Sequence, residues 1–128
     1  MTVLIDTTAF LALLDRHHPE HSFLRNVLSY TFDEPVAPFA TNYIVLETFD
    51  VLRRRFGADA MKLFAREILP AFDIVWVQPQ DHAVALEILL ASGSEPPSLV
   101  DCTSFVVARR LGVTRSLAVD DRFKQEGL

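Results

Sequence analysis

Segments with a strand pattern alternate with segments with a helix pattern along this chain, and this alternation limits its fold more than any other feature. Short apolar runs rich in β-branched residues are followed by stretches in which apolar residues recur every three or four positions. The pattern predicts four strands, over residues 2–5, 36–40, 73–77 and 116–119. Because such alternation produces right-handed crossovers, we predict an α/β fold with three layers, α/β/α, around a mostly parallel central sheet.

Helix-breaking residues mark where the predicted helices end. Gly57, Pro70 and Gly112 each follow an apolar stretch of helical period. The later helices are predicted over residues 43–56, 58–69, 80–91 and 99–111. Pro38 lies inside the second predicted strand, and because proline cannot donate to a strand ladder we expect that strand at a sheet edge or in a bulge. No repeat or linker divides the sequence, so we predict a single domain over residues 1–128.

The charge of the chain leaves RNA open as a substrate. The formal net charge is −5, but if four of the 17 acidic residues bind metal ions, 13 remain against 12 basic residues. Basic residues cluster at residues 53–55 and between residues 109 and 124. They either contact a phosphate backbone or form ordinary solvated helix faces.

Composition also indicates the compartment. The single cysteine, Cys102, excludes an internal disulfide, fits a reducing compartment, and lies in an apolar stretch where we expect it to be buried. The N-terminal residues lack the basic region of a secretory leader, and no apolar stretch approaches the ~20 residues that span a bilayer. We therefore expect a cytoplasmic protein without a membrane-spanning segment.

Four acidic residues stand at positions that a parallel sheet can bring together. They are Asp6, Glu47, Asp101 and Asp120. Asp6 and Asp120 end predicted strands, where ligands bind in parallel α/β sheets. Each acid also has a structural explanation: Asp6 and Asp120 as helix caps, Asp101 in a capping box with Ser98, and Glu47 as a surface residue.

The combination of the four acids favours a metal site. Carboxylates that converge repel one another and raise each other's pKa values, and a divalent cation relieves that repulsion. Hard oxygen ligands favour Mg²⁺ or Mn²⁺ over zinc. Two such ions ~4 Å apart can hold a phosphodiester, one activating water and the other stabilising the leaving oxygen.

The segments that carry these acids resemble the motifs of a known family. They are residues 3–8, 41–48, 98–102 and 118–123. In this order and at these separations they are similar to the motifs of PIN-domain ribonucleases, and most of all to VapC-type toxins of toxin–antitoxin pairs. The similarity is most specific where Asp101 opens a helix ahead of Gly112 and where Phe123 follows Asp120.

The resemblance implies a role for each of these positions. The catalytic acids would be Asp6, Asp101 and Asp120, which bind Mg²⁺ or Mn²⁺, with Glu47 completing the acidic pocket. The family cleaves RNA by metal-assisted hydrolysis, usually forms homodimers, and is held inactive by an antitoxin protein.

Three further residues enter through the same resemblance. The hydroxyls of Thr7 and Ser104 lie near family positions that support the metal site or the phosphate. The doublet of Asp120 and Asp121 departs from the family pattern. Spacing to Phe123 favours Asp120 as the family's acid, but Asp121 could share or replace its role.

Two other functions remain as alternatives. A phospho-acceptor signalling domain also sets carboxylates at strand ends, but residues 36–40 and 73–77 offer no acid at their carboxyl ends. A PIN-like scaffold without catalysis would serve only as a binding partner, which the presence of all four acids argues against.

Trp76, in an apolar strand, is expected in the core rather than as a platform for stacking RNA bases.

Overall fold

The computed structural model describes residues 3–26, 38–113 and 116–117. Its elements, in chain order, are β1 (Val3–Ile5), α1 (Thr7–Leu14), α2 (residues 21–26), β2 (Pro38–Thr41), α3 (Asn42–Arg55), α4 (Ala58–Leu63), β3 (Asp73–Val75), α5 (Pro79–Ala91), α6 (Leu99–Arg110) and β4 (Ser116–Leu117). None of the described helices is long and apolar enough to cross a membrane.

The four strands form one parallel sheet in the order β3-β2-β1-β4. The chain steps from β1 to β2 to β3 in one direction, and then returns past β1 to β4. With right-handed crossovers, the first two steps carry their helices over one face of the sheet, and the return carries α5 and α6 over the other. The predicted α/β fold with a parallel central sheet is confirmed.

The expectation for Pro38 was wrong. β2 pairs with β1 on one side and β3 on the other, so it is an internal strand rather than an edge or a bulge. Pro38 is the first residue of β2. Proline is tolerated there because a missing N–H at the start of a strand removes little of the ladder.

The helix predicted over residues 58–69 is divided. α4 ends at Leu63, and a π-helical turn, Phe64–Ile68, and a 3-10 turn, Leu69–Ala71, follow it. The N–H of Leu69 donates to the carbonyl of Phe64, five residues back. A proline ring clashes with the carbonyl four residues before it, so Pro70 disfavours regular α-helix through this segment.

Aromatic rings fill the core beside the sheet. The ring of Phe10 packs edge-to-face on Phe64 and Phe72, with centroids 5.1 and 5.0 Å apart, and Phe49 packs on Phe64 in the same way. Cys102 is buried, as expected. The prediction that Trp76 lies in the core was wrong. β3 ends at Val75, and Trp76, the next residue, is 66% exposed.

An ion pair between the exposed Arg110 and the buried Asp81 joins α5 to α6. Nε and Nη2 of Arg110 each donate to one carboxylate oxygen of Asp81 at 3.0 Å, and the N–H of Gln78 donates to Oδ2 at 2.9 Å. Asp81 is 3% exposed. Burial raises the pKa of Asp81, but the hydrogen bonds and charge of Arg110 and the Gln78 N–H outweigh it, so the pKa lies below its ordinary value of 3.8.

We expect Asp81→Asn to lower the free energy of unfolding at pH 7 by about 1–3 kcal/mol, because it removes a charge-assisted pair from a buried site. The depressed pKa fixes the sign of the pH dependence. The stabilisation is present above the unfolded-state pKa and is lost as pH falls through the folded-state pKa. Urea unfolding should therefore show a smaller difference between wild type and Asp81→Asn at pH 3 than at pH 7.

Asp50→Asn is the matched control for this measurement. Asp50 also accepts from two guanidinium-bearing side chains, Arg53 and Arg54, but its side chain is 52% exposed. Solvent screens such a pair, so its loss should change stability by less than about 1 kcal/mol. A difference for Asp81→Asn that stays constant from pH 7 to pH 3 would contradict the role assigned to the ion pair.

Candidate active site

The candidate site lies at the carboxyl edge of the sheet, where α1 and α3 begin. Asp6 follows β1 directly and is the N-cap of α1, while Thr41 ends β2 and is the N-cap of α3. β1 and β2 are parallel neighbours, so the two helix starts lie side by side. α3 also contacts α6, which brings a third helix to this edge.

Asp6 serves α1 as a helix cap. Its Oδ1 accepts from the backbone N–H of Ala9 at 2.9 Å, and the hydroxyl of Thr8 donates to Oδ1 at 2.8 Å and to Oδ2 at 2.9 Å. The structural explanation considered for Asp6 is thus correct. It does not exclude a second role, because a carboxylate can accept at up to about four lone-pair positions.

Capping, together with contacts to Val77 and to α5, holds the start of α3 in position. The N–H of Ile44 donates to the hydroxyl of Thr41 at 3.1 Å. Oδ1 of Asn42 accepts from the N–H of Val77 at 2.7 Å, and the hydroxyl of Tyr43 lies 2.8 Å from Nδ1 of His82. These contacts fix the first turn of the helix that carries Glu47 one turn further on.

Two threonines connect α3 to α1 beneath the site. Thr48 is fully buried, and its hydroxyl donates to the carbonyl of Ile44 at 2.7 Å. The same hydroxyl oxygen lies within hydrogen-bonding distance, 3.3 Å, of Oγ1 of Thr7. Thr7 is buried at the start of α1.

α6 begins at the same site. The hydroxyl of Ser98 caps the helix by accepting from the N–H of Asp101 at 3.0 Å, as half of a capping box would. Asp101 stands in the first turn and is half-buried. The positive ends of the α1 and α6 dipoles therefore lie near Asp6 and Asp101, where they offset part of the repulsion between the acids.

One cavity collects these side chains. It has a volume of about 220 Å³ and is lined by Asp6, Thr7, Thr8, Ile44, Glu47, Ser98, Val100 and Asp101. Three of the four acids named from the sequence thus face a common space. Asp120 and Asp121 lie outside the described residues.

The supporting residues divide into two groups. Thr7 lines the cavity, whereas Ser104 is fully buried and donates to the carbonyl of Val100 at 2.9 Å within α6. Thr8 lines the cavity, and sequence reasoning missed it. The available signal was its position two residues after a capping aspartate, from which a hydroxyl can reach back to the cap.

The donor types around the cavity suit a hard divalent cation. Carboxylates and hydroxyls supply only oxygen, which Mg²⁺ and Mn²⁺ prefer. Within residues 3–26 and 38–113, no three side chains of His, Cys, Asp or Glu are grouped closely enough to hold an ion. By its donor types alone the lining fits such an ion, with Asp6, Glu47 and Asp101 as the candidate ligands, although their carboxylates do not converge on one point in this structure.

Three arginines on α3 and α6 pair with acidic side chains in the described part of the chain. Arg53 and Arg54 are exposed in the last turn of α3, and both pair with Asp50 at 3.2 and 3.1 Å. Arg110 pairs with Asp81. Of the two explanations considered for these basic residues, contact with a phosphate backbone or a solvated helix face, the second fits Arg53 and Arg54.

Comparison with known proteins gives a match over nearly the whole chain. Residues 3–126 match the family model of the PIN domain. Among curated proteins, the 23S rRNA-specific endonuclease VapC20 of Mycobacterium tuberculosis is 25% identical over 126 residues, which cover 98% of this chain and 94% of the relative.

Solved structures agree with this match. The crystal structure of Mycobacterium tuberculosis VapC20, a sarcin-ricin loop cleaving toxin, superposes with a TM-score of 0.86 at 26% identity, covering 98% of this chain and 95% of that one. FitAcB from Neisseria gonorrhoeae superposes with a TM-score of 0.73 at 16% identity, covering 99% and 93% of the two chains, and supports the fold alone. Because the family model spans residues 3–126, this protein belongs to the PIN domain family.

Proposed function

We propose that this protein is a metal-dependent endoribonuclease and the toxin of a toxin–antitoxin pair. The observation that carries the proposal is the cavity at the sheet edge, which Asp6, Glu47 and Asp101 line in a chain of the PIN domain family. The related VapC20, which matches over 98% of this chain, is an endonuclease specific for 23S rRNA. A structured RNA is therefore the substrate class we propose, and ribosomal RNA is the first to test.

Asp6, Glu47 and Asp101 would hold Mg²⁺ or Mn²⁺, and Asp120 would supply the fourth acid, with Asp121 as the alternative. When bound, such an ion polarises a phosphoryl oxygen and lowers the pKa of bound water. The chain itself contributes positioning. Thr8 and the Ala9 N–H hold the carboxylate of Asp6 through three hydrogen bonds, and the Ser98 cap fixes the turn that carries Asp101.

The remaining parts of the proposal follow from the family and from related assemblies. The structure of VapBC2 from Rickettsia felis, bound to a DNA fragment from its promoter, superposes with a TM-score of 0.72 at 12% identity and covers 98% of this chain and 92% of that one. We propose a cognate antitoxin that blocks the acidic cavity with a basic side chain, a homodimeric toxin, and a cytoplasmic location. Co-expression with the neighbouring reading frame, followed by sedimentation analysis, tests the first two.

Cleavage should depend on the divalent cation. The purified protein should cut ribosomal RNA in the presence of Mg²⁺ or Mn²⁺ and stop when EDTA is added, because the acids alone cannot stabilise the charge that develops on the phosphate. Mg²⁺ should also stabilise the protein against heat, by about 2.7 kcal/mol at roughly a hundredfold excess over its dissociation constant. Primer extension across the product would map the cut.

Two outcomes would contradict the proposal in different ways. Equal cleavage with and without EDTA would remove the metal from the mechanism. A protein that gains stability from Mg²⁺ but cuts no RNA would favour the alternative of a catalytically silent PIN-like scaffold. The phospho-acceptor alternative is set aside, because the chain belongs to the PIN domain family.

A further inference from the structure

Trp76 is the most exposed aromatic side chain in the described part of the chain. It is 66% exposed and follows Val75, the last residue of β3. Among the described residues, no other aromatic ring packs on its indole. Tryptophan carries a large apolar face that is buried to a high degree in most proteins. An indole this exposed at a sheet edge therefore indicates a surface that binds something.

The register of the sheet places Trp76 beside the acidic cavity. Thr41, the last residue of β2, pairs with Val75, and β2 pairs on its other side with β1, which Asp6 follows directly. Neighbouring strands lie ~4.8 Å apart, so the backbone of Trp76 lies roughly 10 Å from that of Asp6 along the carboxyl edge. A few nucleotides of an RNA strand cover this distance.

Two hydrogen bonds hold the backbone around Trp76. The N–H of Val77 donates to Oδ1 of Asn42 at 2.7 Å, and the side-chain amide of Gln78 donates to the carbonyl of Trp76 at 3.4 Å. Asn42 is the first residue of α3, the helix that carries Glu47 to the cavity. The position of Trp76 is thus tied to an element of the acidic site.

The segment around Trp76 is uncharged. Residues 74–80 read Ile-Val-Trp-Val-Gln-Pro-Gln, so an RNA strand that crosses this segment meets no carboxylate within it. Gln78 and Gln80 are exposed, and their amides can both donate to and accept from the edge of a base. Aromatic side chains stack on unpaired bases with little dependence on sequence. A flat aromatic face with amide groups beside it fits a nucleobase rather than a phosphate.

We propose that Trp76 is a stacking platform for an unpaired nucleobase of the RNA strand whose phosphodiester lies in the acidic cavity. The inference rests on the proposed function and adds to it a base-binding subsite at the end of β3. The base must be unpaired, because a base inside a duplex has no free face on which the indole can stack. The sequence favoured a place in the core for Trp76 over base stacking, and the exposure of the indole reverses that preference.

Trp76→Ala should raise KM for ribosomal RNA about tenfold and leave kcat within about threefold of wild type. Stacking on a base away from the cut phosphate stabilises the bound substrate and the transition state alike, so its loss appears in KM. Trp76→Phe keeps an aromatic face and should keep KM within about threefold. Trp76→Leu keeps apolar bulk without that face and should behave like Trp76→Ala. Equal KM values for Trp76→Leu and Trp76→Phe would overturn the inference.

Phe56→Ala is the matched control. Phe56 is 48% exposed and follows the last residue of α3, a 14-residue helix that extends about 20 Å from the edge where the cavity lies. Its truncation should leave both KM and kcat within about twofold of wild type, at a temperature where all the variants are folded. A KM for Trp76→Ala equal to that for Phe56→Ala would contradict a base-binding role.

Fluorescence provides a readout that does not depend on cleavage. Trp76 is the single tryptophan of the chain, so indole emission reports on this subsite alone. Titration with tetrauridylate should quench the emission, and a tetramer of ribose phosphate without bases should leave it unchanged at the same concentrations. Equal quenching by the two probes, or none by either, would overturn the inference. If the wild-type protein cuts no RNA, the proposed function fails, and the two titrations still decide whether Trp76 binds a base.

A second copy of this chain is the competing explanation for the exposed indole. Sedimentation of wild type and Trp76→Ala at one concentration separates the two explanations, and we expect the same sedimentation coefficient for both. A dimeric wild type and a monomeric Trp76→Ala would assign the indole to a subunit interface, and the inference would fail.

Discussion

Replacing Asp101 with Asn should lower the rate of RNA cleavage at least about a hundredfold and leave the protein folded. A metal ligand supplies several kcal/mol of transition-state stabilisation, and about 2.7 kcal/mol corresponds to a hundredfold in rate. Asn has nearly the same shape, and the cap of α6 is made by the Ser98 hydroxyl and the backbone N–H of residue 101, which the substitution retains. Single-turnover cleavage and thermal melts measure the two effects separately.

Asp6→Asn should give the same loss of activity with a somewhat larger loss of stability. Asn caps a helix about as well as Asp. The amide nitrogen cannot accept from Thr8, however, and in the wild type the Thr8 hydroxyl donates to both carboxylate oxygens. We therefore expect a cost of up to about 1 kcal/mol in unfolding free energy beyond that of Asp101→Asn.

Asp59→Asn is the matched control for both variants. Asp59 is an exposed acid in the first turn of α4, as Asp101 is an acid in the first turn of α6, but it does not line the cavity. It should cleave at the wild-type rate. A folded Asp101→Asn protein with wild-type activity would leave Asp101 with only its structural role at the start of α6.

Phe10→Ala should lower the free energy of unfolding by about 3–5 kcal/mol, the largest effect on stability that we expect from a single substitution. Phe10 is completely buried and makes two edge-to-face contacts, with Phe64 and Phe72. Truncation removes the apolar area and both ring contacts, and leaves a cavity between α1 and the turn that follows α4. For a chain of 128 residues, this loss corresponds to a fall in melting temperature of roughly 10–20 °C.

Phe23→Ala shows whether burial causes that loss. Phe23 is 59% exposed, so its truncation should change stability by less than about 1 kcal/mol. Phe10 lies in the core and does not line the cavity. At a temperature where the Phe10→Ala protein is still folded, this variant should therefore cut RNA at close to the wild-type rate. A melting temperature for Phe10→Ala within 3 °C of that of Phe23→Ala, a margin of about 1 kcal/mol, would contradict this account of the core.

The parallel sheet and three of the acids could be read from the sequence because both depend on local patterns. A β-branched run that stops at Asp6, followed at once by helical spacing, reports a strand, a cap and a helix within 14 residues. The carboxyl ends of parallel strands meet at one edge whatever the details of packing. Asp6, Glu47 and Asp101 could therefore be grouped without knowledge of any tertiary contact.

Strand order was decided only by the tertiary structure. The residues around Pro38 do not indicate that its strand lies between two others. Strand pairing depends on which helix and sheet faces can be buried together, and a local sequence pattern does not contain that information. The exposure of Trp76 has the same origin. Its apolar neighbours suggest a core strand, but β3 ends one residue earlier, and a sequence window does not report which side of an edge strand has a partner.

Two polar contacts between helices could likewise not be predicted from the sequence. Thr7 and Thr48 are 41 residues apart, and Asp81 and Arg110 are 29 apart. Each of these four residues has an ordinary local explanation as a helix-start or helix-face residue. Periodicity records which face of a helix is buried, and only the packing of α1 on α3 and of α5 on α6 decides which two polar groups meet inside.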